Sequence, residues 1–197
     1  MRFYLLLALG FACVGCETVP GTGRSQINFV SNSEVASMAA GEFSKMKKLP
    51  NDPRLAQIRR IGLSIVAVAR KEDKNGVLPP ANQWQFAVID DKSPNAFAMP
   101  GGKIGFNAGM FPYASTDDDI AVILGHEVAH VLCQHSSERI SQGLLVQLGA
   151  VTVDEATKNK SAKTRQAWMA GFGLGSQFGL LLPFSRSHES ESDYLGL

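Results

Sequence analysis

His126-Glu127-Val128-Ala129-His130 constrains this chain more than any other five residues. On a helix, residues four apart sit one above the other on the same face, with Cβ atoms roughly 5–6 Å apart. That separation lets two imidazole nitrogens reach a single Zn²⁺ at about 2.0–2.1 Å. The intervening Glu127 lies beside the metal without being needed as a ligand, so it is free to take a proton from a water held there. Only four histidines occur in 197 residues, and two core histidines falling at this spacing by chance is a poor alternative.

The argument requires a helix, and the flanking residues supply one. Ser115 and Thr116 offer N-cap hydroxyls, and Asp117, Asp118 and Asp119 put three carboxylates in the first turn, where the helix end is positive. Ile120, Ile123, Leu124, Val128, Val131 and Leu132 form an apolar pattern dense enough for a buried helix. The pattern predicts a helix from near Asp117 running past His135.

A catalytic zinc usually has three protein ligands and one open position. His135 is the nearest further histidine, but at about 100° per residue it lies about 180° around the helix from His126. Cys133 shares the face of His126 and His130, yet its short side chain would have to reach back a full turn. Glu189 and Asp193, from Ser187-His188-Glu189-Ser190-Glu191-Ser192-Asp193, are also four apart, with Glu191 pointing away. One of these carboxylates can bind metal while the other accepts the N–H of a ligand histidine. A solvated acidic helix start is the plainer reading of the same residues.

Taken together, His126-Glu127-Val128-Ala129-His130 and Ser185-Arg186-Ser187-His188-Glu189-Ser190-Glu191-Ser192-Asp193 resemble the HExxH…SRxxExxxD pair of the gluzincin metallopeptidases of family forty-eight. Val19-Pro20-Gly21-Thr22-Gly23-Arg24 and Asn95-Ala96-Phe97-Ala98-Met99-Pro100-Gly101-Gly102-Lys103-Ile104 are similar to its lipoprotein and Oma-type branch, so the resemblance runs from Val19 to Leu197. It implies an α+β, mainly helical, zincin-like fold with a small sheet beside the HExxH helix. It also implies one Zn²⁺ per chain on His126, His130 and Glu189, Glu127 as general base, and Asp193 orienting a ligand histidine. The stretch Asn95–Met99 or Lys103–Asn107 would pair with an extended substrate. Family members continue into a Ser/Thr-His-Pro segment, whereas this chain stops at Leu197, which implies a C-terminally shortened domain. A metalloendopeptidase acting on unfolded or misassembled envelope proteins is the expected function. A chaperone-like protein that binds clients with weak or no proteolysis is the alternative.

The N-terminus reads as a targeting segment. Met1-Arg2 is basic, and Phe3 to Val14 is apolar, about a dozen residues and short of the ~20 a spanning helix needs. Val14-Gly15-Cys16 resembles a bacterial lipobox, so cleavage would leave Cys16 as the site of lipid attachment. Glu17 stands where an inner-membrane retention signal usually has Asp, which favours anchoring to the outer membrane and a periplasmic location. The expected organisation is a signal peptide over 1–15, a tether over 16–30 that becomes a docked segment, and the metallopeptidase domain over 31–197. Of the three cysteines only Cys133 would then remain free, leaving no intrachain disulfide, and a net charge of +1 argues against nucleic acid as a partner.

Elsewhere the pattern predicts a capping box at Ser31 and Glu34, a helix over 33–47, and a second helix begun by Asp52-Pro53 and running to Arg70. Trp84, Phe86 and Val88 alternate with Gln85 and Ala87 as in a strand, and Pro100-Gly101-Gly102 is a turn. A last helix over 162–182 contains only about thirteen mildly apolar residues, with Gln177 in their midst, too few to cross a ~30 Å membrane core, and its repeated glycines predict close packing against the zinc helix.

Overall fold

The computed structural model describes residues 16–197, and the expected signal peptide over 1–15 lies outside them. Two antiparallel strands open the chain, β1 (Cys16–Thr18) and β2 (Ser25–Ile27). Gly21 and Gly23 take positive φ in the connection between them, a conformation that costs glycine little. The stretch expected to be a tether is therefore folded from its first residues. Val19 and Gln26 are buried, Thr22 and Arg24 bond to the last helices, and Phe29 N–H donates to Ser141 Oγ.

Helix α1 (Asn32–Lys45) begins at a complete capping box between Ser31 and Glu34. Helix α2 (Leu55–Glu72) follows a turn in which Asp52 accepts from both the backbone and the guanidinium of Arg54, so the aspartate organises the approach to the helix and not its first turn. Strands β3 (Gln85–Ile89), β4 (Ala96–Met99) and β5 (Lys103–Asn107) form one sheet in the order β3-β5-β4. Strand β5 is parallel to β3 and antiparallel to β4. Gly101 and Gly102 carry the β4–β5 turn at φ 76° and 74°.

The alternation read in β3 is only half of its burial. Val88 faces the main core with Ile58, Val66, Ile104, Phe106, Ile120, Leu124 and Val128. Ala87 and Ile89 are also buried, because α1 lays Phe43 against the other side of the sheet. A sheet covered on both sides loses the simple two-residue pattern.

Helix α3 (Asp117–Leu132) carries the HExxH segment, and α4 (His135–Thr157), α5 (Ala162–Ser176) and α6 (Leu182–Gly196) complete the fold. A π-helical stretch, Gln177–Leu181, joins α5 to α6. Helix α5 packs on α4, with the Phe172 ring against Gly149, and not on the zinc-type helix as its glycines suggested. A Cβ added at Gly171, Gly173, Gly175 or Gly179 would meet nothing within 4 Å, so these glycines serve no close approach. Among the described residues, no helix is long and apolar enough to cross a membrane.

Close approach occurs instead between α3 and α6. A Cβ on Gly125 would stand 2.1 Å from the Gly196 carbonyl oxygen, and one on Gly196 would stand 2.6 Å from His126 N. Replacing Gly125 by Ala therefore forces two backbones apart. We expect Gly125→Ala to lower stability by about 1–3 kcal/mol in urea unfolding, as overpacking does. Gly171→Ala, in open space on a helix, should raise it by roughly 0.5–1 kcal/mol.

Candidate metal centre

Helix α3 is fixed at its start by a capping box between Thr116 and Asp119 and by three acidic residues in its first turn. Ile120, Leu124 and Val128 commit one face to the core. The remaining face presents His126, Glu127 and His130 toward α6 and the sheet. Helix α6 returns along α3, and the glycine contact brings it close enough for its own acidic face to meet the imidazoles.

His126 Nε2 and His130 Nε2 stand 3.0 Å apart. Glu189 Oε2 lies 3.3 Å from the first and 3.7 Å from the second. Donors bound at about 2.0–2.1 Å around a tetrahedral centre stand roughly 3.3–3.4 Å from one another, so the three atoms fit three corners around one cation. Asp193 Oδ1 lies 2.9 Å from His126 Nδ1. A carboxylate there accepts, so His126 carries its proton on Nδ1 and presents the lone pair of Nε2 to the shared point. The spacing of Glu189 and Asp193 in α6 thus brings both to His126, one at each ring nitrogen.

Glu127 sits between this group and the sheet. Its Oε2 accepts the backbone N–H of Ala98 in β4 at 3.2 Å. Burial is the main influence on its carboxyl and, with the nearby Glu189 charge, pushes it up to about 7, against the Ala98 hydrogen bond and His126. Burial holds His130 down to about 4, so the ring is neutral and has a lone pair to give. Of the two stretches considered for peptide pairing, Lys103–Asn107 is the central strand with both sides occupied, whereas β4 is an edge whose outer side faces Glu127. A cleft of about 470 Å³ opens beside the group, lined by Asn95, Ala96, Met110, Val122, His126 and Glu127 among others.

The helix does not run past His135. It ends at Leu132, and Gln134 takes the left-handed conformation (φ 57°, ψ 30°) before α4 begins. A non-glycine residue there costs roughly 1–2 kcal/mol. Gln134 is buried, and its amide bonds to Glu17 and Asn28 of the N-terminal segment. The bend invalidates the 180° projection for His135 and turns its ring to within 2.8 Å of His130, Nδ1 to Nδ1. Cys133, the last residue before the bend, is fully buried.

Cys133, His135 and Glu191 form a second close group of potential ligands. Two of its three members are already engaged: His135 bonds to His130 and Glu191, and Glu191 is also bound by Thr22 and Arg24. Burial pushes the Cys133 thiol up to about 12. Around it lies a buried polar cluster that the sequence did not reveal. Arg24 pairs with Glu138 (2.7 Å) and Glu191 (2.9 Å), and Glu138 faces His188 Nε2 at 2.9 Å. Arg24 falls in the Val19–Arg24 motif, which flagged it, whereas nothing in the spacing of Glu138 or His188 pointed to one another.

The sequence profile of peptidase family M48 matches residues 55–197. The mitochondrial metalloendopeptidase OMA1 of Schizosaccharomyces pombe is 33% identical over 192 residues, covering 92% of this chain and 51% of that protein. The chain belongs to peptidase family M48. OMA1 of Saccharomyces cerevisiae is 32% identical over 210 residues, covering 100% of this chain and 58% of the relative. The beta-barrel assembly-enhancing protease of Escherichia coli K12 is 25% identical over 192 residues, 92% of this chain and 37% of that one. The chain thus spans about half the length of these two OMA1 relatives. Both of these OMA1 proteins are named as metalloendopeptidases.

The polar cluster gives this M48 fold a specific acid sensitivity. Burial works to raise the Glu138 carboxyl, but the hydrogen bonds from His188 and Arg24 outweigh it and hold the group at about 2, against an ordinary 4.5. A depressed carboxyl adds stability that is fully present above the ordinary value and is lost as pH falls toward the folded one. Between pH 5 and pH 2 the loss seen in urea unfolding should therefore be smaller in Glu138→Gln than in the wild type, by on the order of 3 kcal/mol.

Proposed function

We propose that the chain is a zinc-dependent endopeptidase of the bacterial periplasm, anchored by a lipid on Cys16 to the outer membrane and engaged in envelope protein quality control. The observation that carries this reading is the convergence of His126 Nε2, His130 Nε2 and Glu189 Oε2 within 3.7 Å of one another, with Glu127 alongside. Two imidazoles and one carboxylate suit zinc, and His₂Glu is a known catalytic set. Zinc held there would lower the pKa of water and polarise the scissile carbonyl.

The chain's own residues do the rest. Asp193 keeps the His126 ring in the tautomer that frees Nε2. Ala98 N–H steadies one oxygen of Glu127 and leaves the other to accept the proton of the attacking water and pass it to the leaving amine. The raised proton affinity that burial gives Glu127 suits it to both steps. The outer edge of β4 would hold an extended peptide by strand addition beside that carboxylate. Unfolded or misassembled envelope proteins are the proposed substrates, a reading supported by the name of the Escherichia coli relative. Residues 1–15 would be the signal peptide and the hairpin after Cys16 the first folded part of the mature domain.

Glu127→Gln should keep one zinc per chain by elemental analysis while casein cleavage falls by roughly 10²–10⁴-fold. Full proteolysis in that variant refutes the assigned role, and proteolysis insensitive to a chelator refutes the metal mechanism. Cys16→Ser should lose radiolabelled palmitate incorporation and move from the membrane fraction to the soluble periplasm. Unchanged fractionation would remove the anchor from the proposal.

A further inference from the structure

We propose that His135 is a positioning residue for His130, and that through Glu191 it ties the metal centre to the docked N-terminal segment. This deepens the zinc reading and rests on it. The two candidate imidazole ligands have different supports. His126 leans on Asp193, whose side chain is 71% exposed, whereas His130 leans on another imidazole, His135, whose side chain is 1% exposed.

The chemistry of each contact permits one proton arrangement. If His130 Nε2 gives its lone pair to the metal, His130 Nδ1 carries the ring proton and donates to His135 Nδ1, 2.8 Å away. His135 then carries its own proton on Nε2, which faces Glu191 Oε2 at 3.0 Å. A carboxylate accepts there, so the assignment reached from the metal end agrees with the one required at the other end. The same Glu191 oxygen accepts Arg24 Nε at 2.9 Å, and Glu191 Oε1 accepts the Thr22 hydroxyl at 2.5 Å.

The geometry also fixes the His135 ring in place. It stacks on His188 with centroids 4.2 Å apart and planes 18° from parallel. Ser192 Oγ lies 3.4 Å from His135 Nδ1. His188 is held by Glu138, which Arg24 also grips with two nitrogens. One cation from the β1–β2 connection therefore fastens both the stacking partner and the acceptor of His135. An imidazole so constrained can hold His130 in one tautomer and one orientation, as the outer partners of metal-ligating histidines do.

The test uses the whole chain, zinc competition against a chelating dye, and visible spectra of the Co²⁺-loaded protein. His135→Phe keeps ring stacking but neither nitrogen. It should bind one zinc with affinity reduced roughly 10–100-fold and a shifted cobalt spectrum. His135→Asn, whose amide oxygen falls near the Nδ1 position, should recover most of the affinity. His135→Gln, which reaches toward Glu191 instead, should not. Arg24→Ala should weaken zinc in the same direction as His135→Phe. If His135→Phe does not fold, the order Asn above Gln decides the matter, and the reverse order overturns the proposal. Wild-type affinity and spectrum in folded His135→Phe overturn it while leaving the zinc reading intact. Two metals in the wild type and one in His135→Phe would make His135 a ligand of a separate site and overturn it too. A wild type that binds no stoichiometric metal overturns both readings together.

Discussion

The backbone contact between α3 and α6 is what the candidate site depends on. At Gly125 and Gly196 the two helices approach so closely that a single methyl on either would strike main-chain atoms of the other. This lets α6 deliver Glu189 to a point some sixty residues away in sequence, where two imidazoles already face each other. The pairing needs no long side chain to bridge a gap. A carboxylate on a short lever is held more firmly than one at the end of a flexible reach, because fewer torsions must be frozen to place it.

Helix α6 works on two sides at once. Glu189 and Asp193, one turn apart, face the outer, partly solvated imidazoles. His188, Glu191 and Ser192 turn inward and are buried. The inward set meets Arg24, Glu138 and His135 in a cluster where every charged group found has a partner of opposite sign or a ring nitrogen. Buried charges are tolerated only when paired in this way, since removing either partner exposes the full cost of desolvation. The same helix therefore links the candidate chemistry to the packing of the chain's first folded segment.

The HExxH helix and its carboxylate partners were legible because helical spacing is local. His126 and His130 four apart, and Glu189 and Asp193 four apart, needed only the helical repeat to be paired on faces. The capping boxes at Ser31 and Thr116 were readable for the same reason. The direction of His135 is not where a helical projection puts it, because a fixed angle per residue assumes an unbroken helix, and a single left-handed residue, Gln134, breaks it. Nothing about a glutamine announces positive φ; its conformation is selected by burial and by bonds to Glu17 and Asn28. The glycines of α5 misled in the opposite way. They suggest close helix packing, yet open space surrounds Gly171, Gly173 and Gly175, while Gly125 and Gly196 carry the contact.

By itself the sequence carried motifs that resemble those of the family, and with that resemblance the α+β zincin-like class; which residue types could meet a metal followed from spacing along one helix at a time. The tertiary structure alone decided how those helices meet. It selected β4 over β5 as the open edge, turned His135 from the far side of a projected helix onto His130, and folded the expected tether into a clamp on Glu138 and Glu191. Each of these depends on contacts between residues far apart in the chain, and a local repeat carries no information about such contacts.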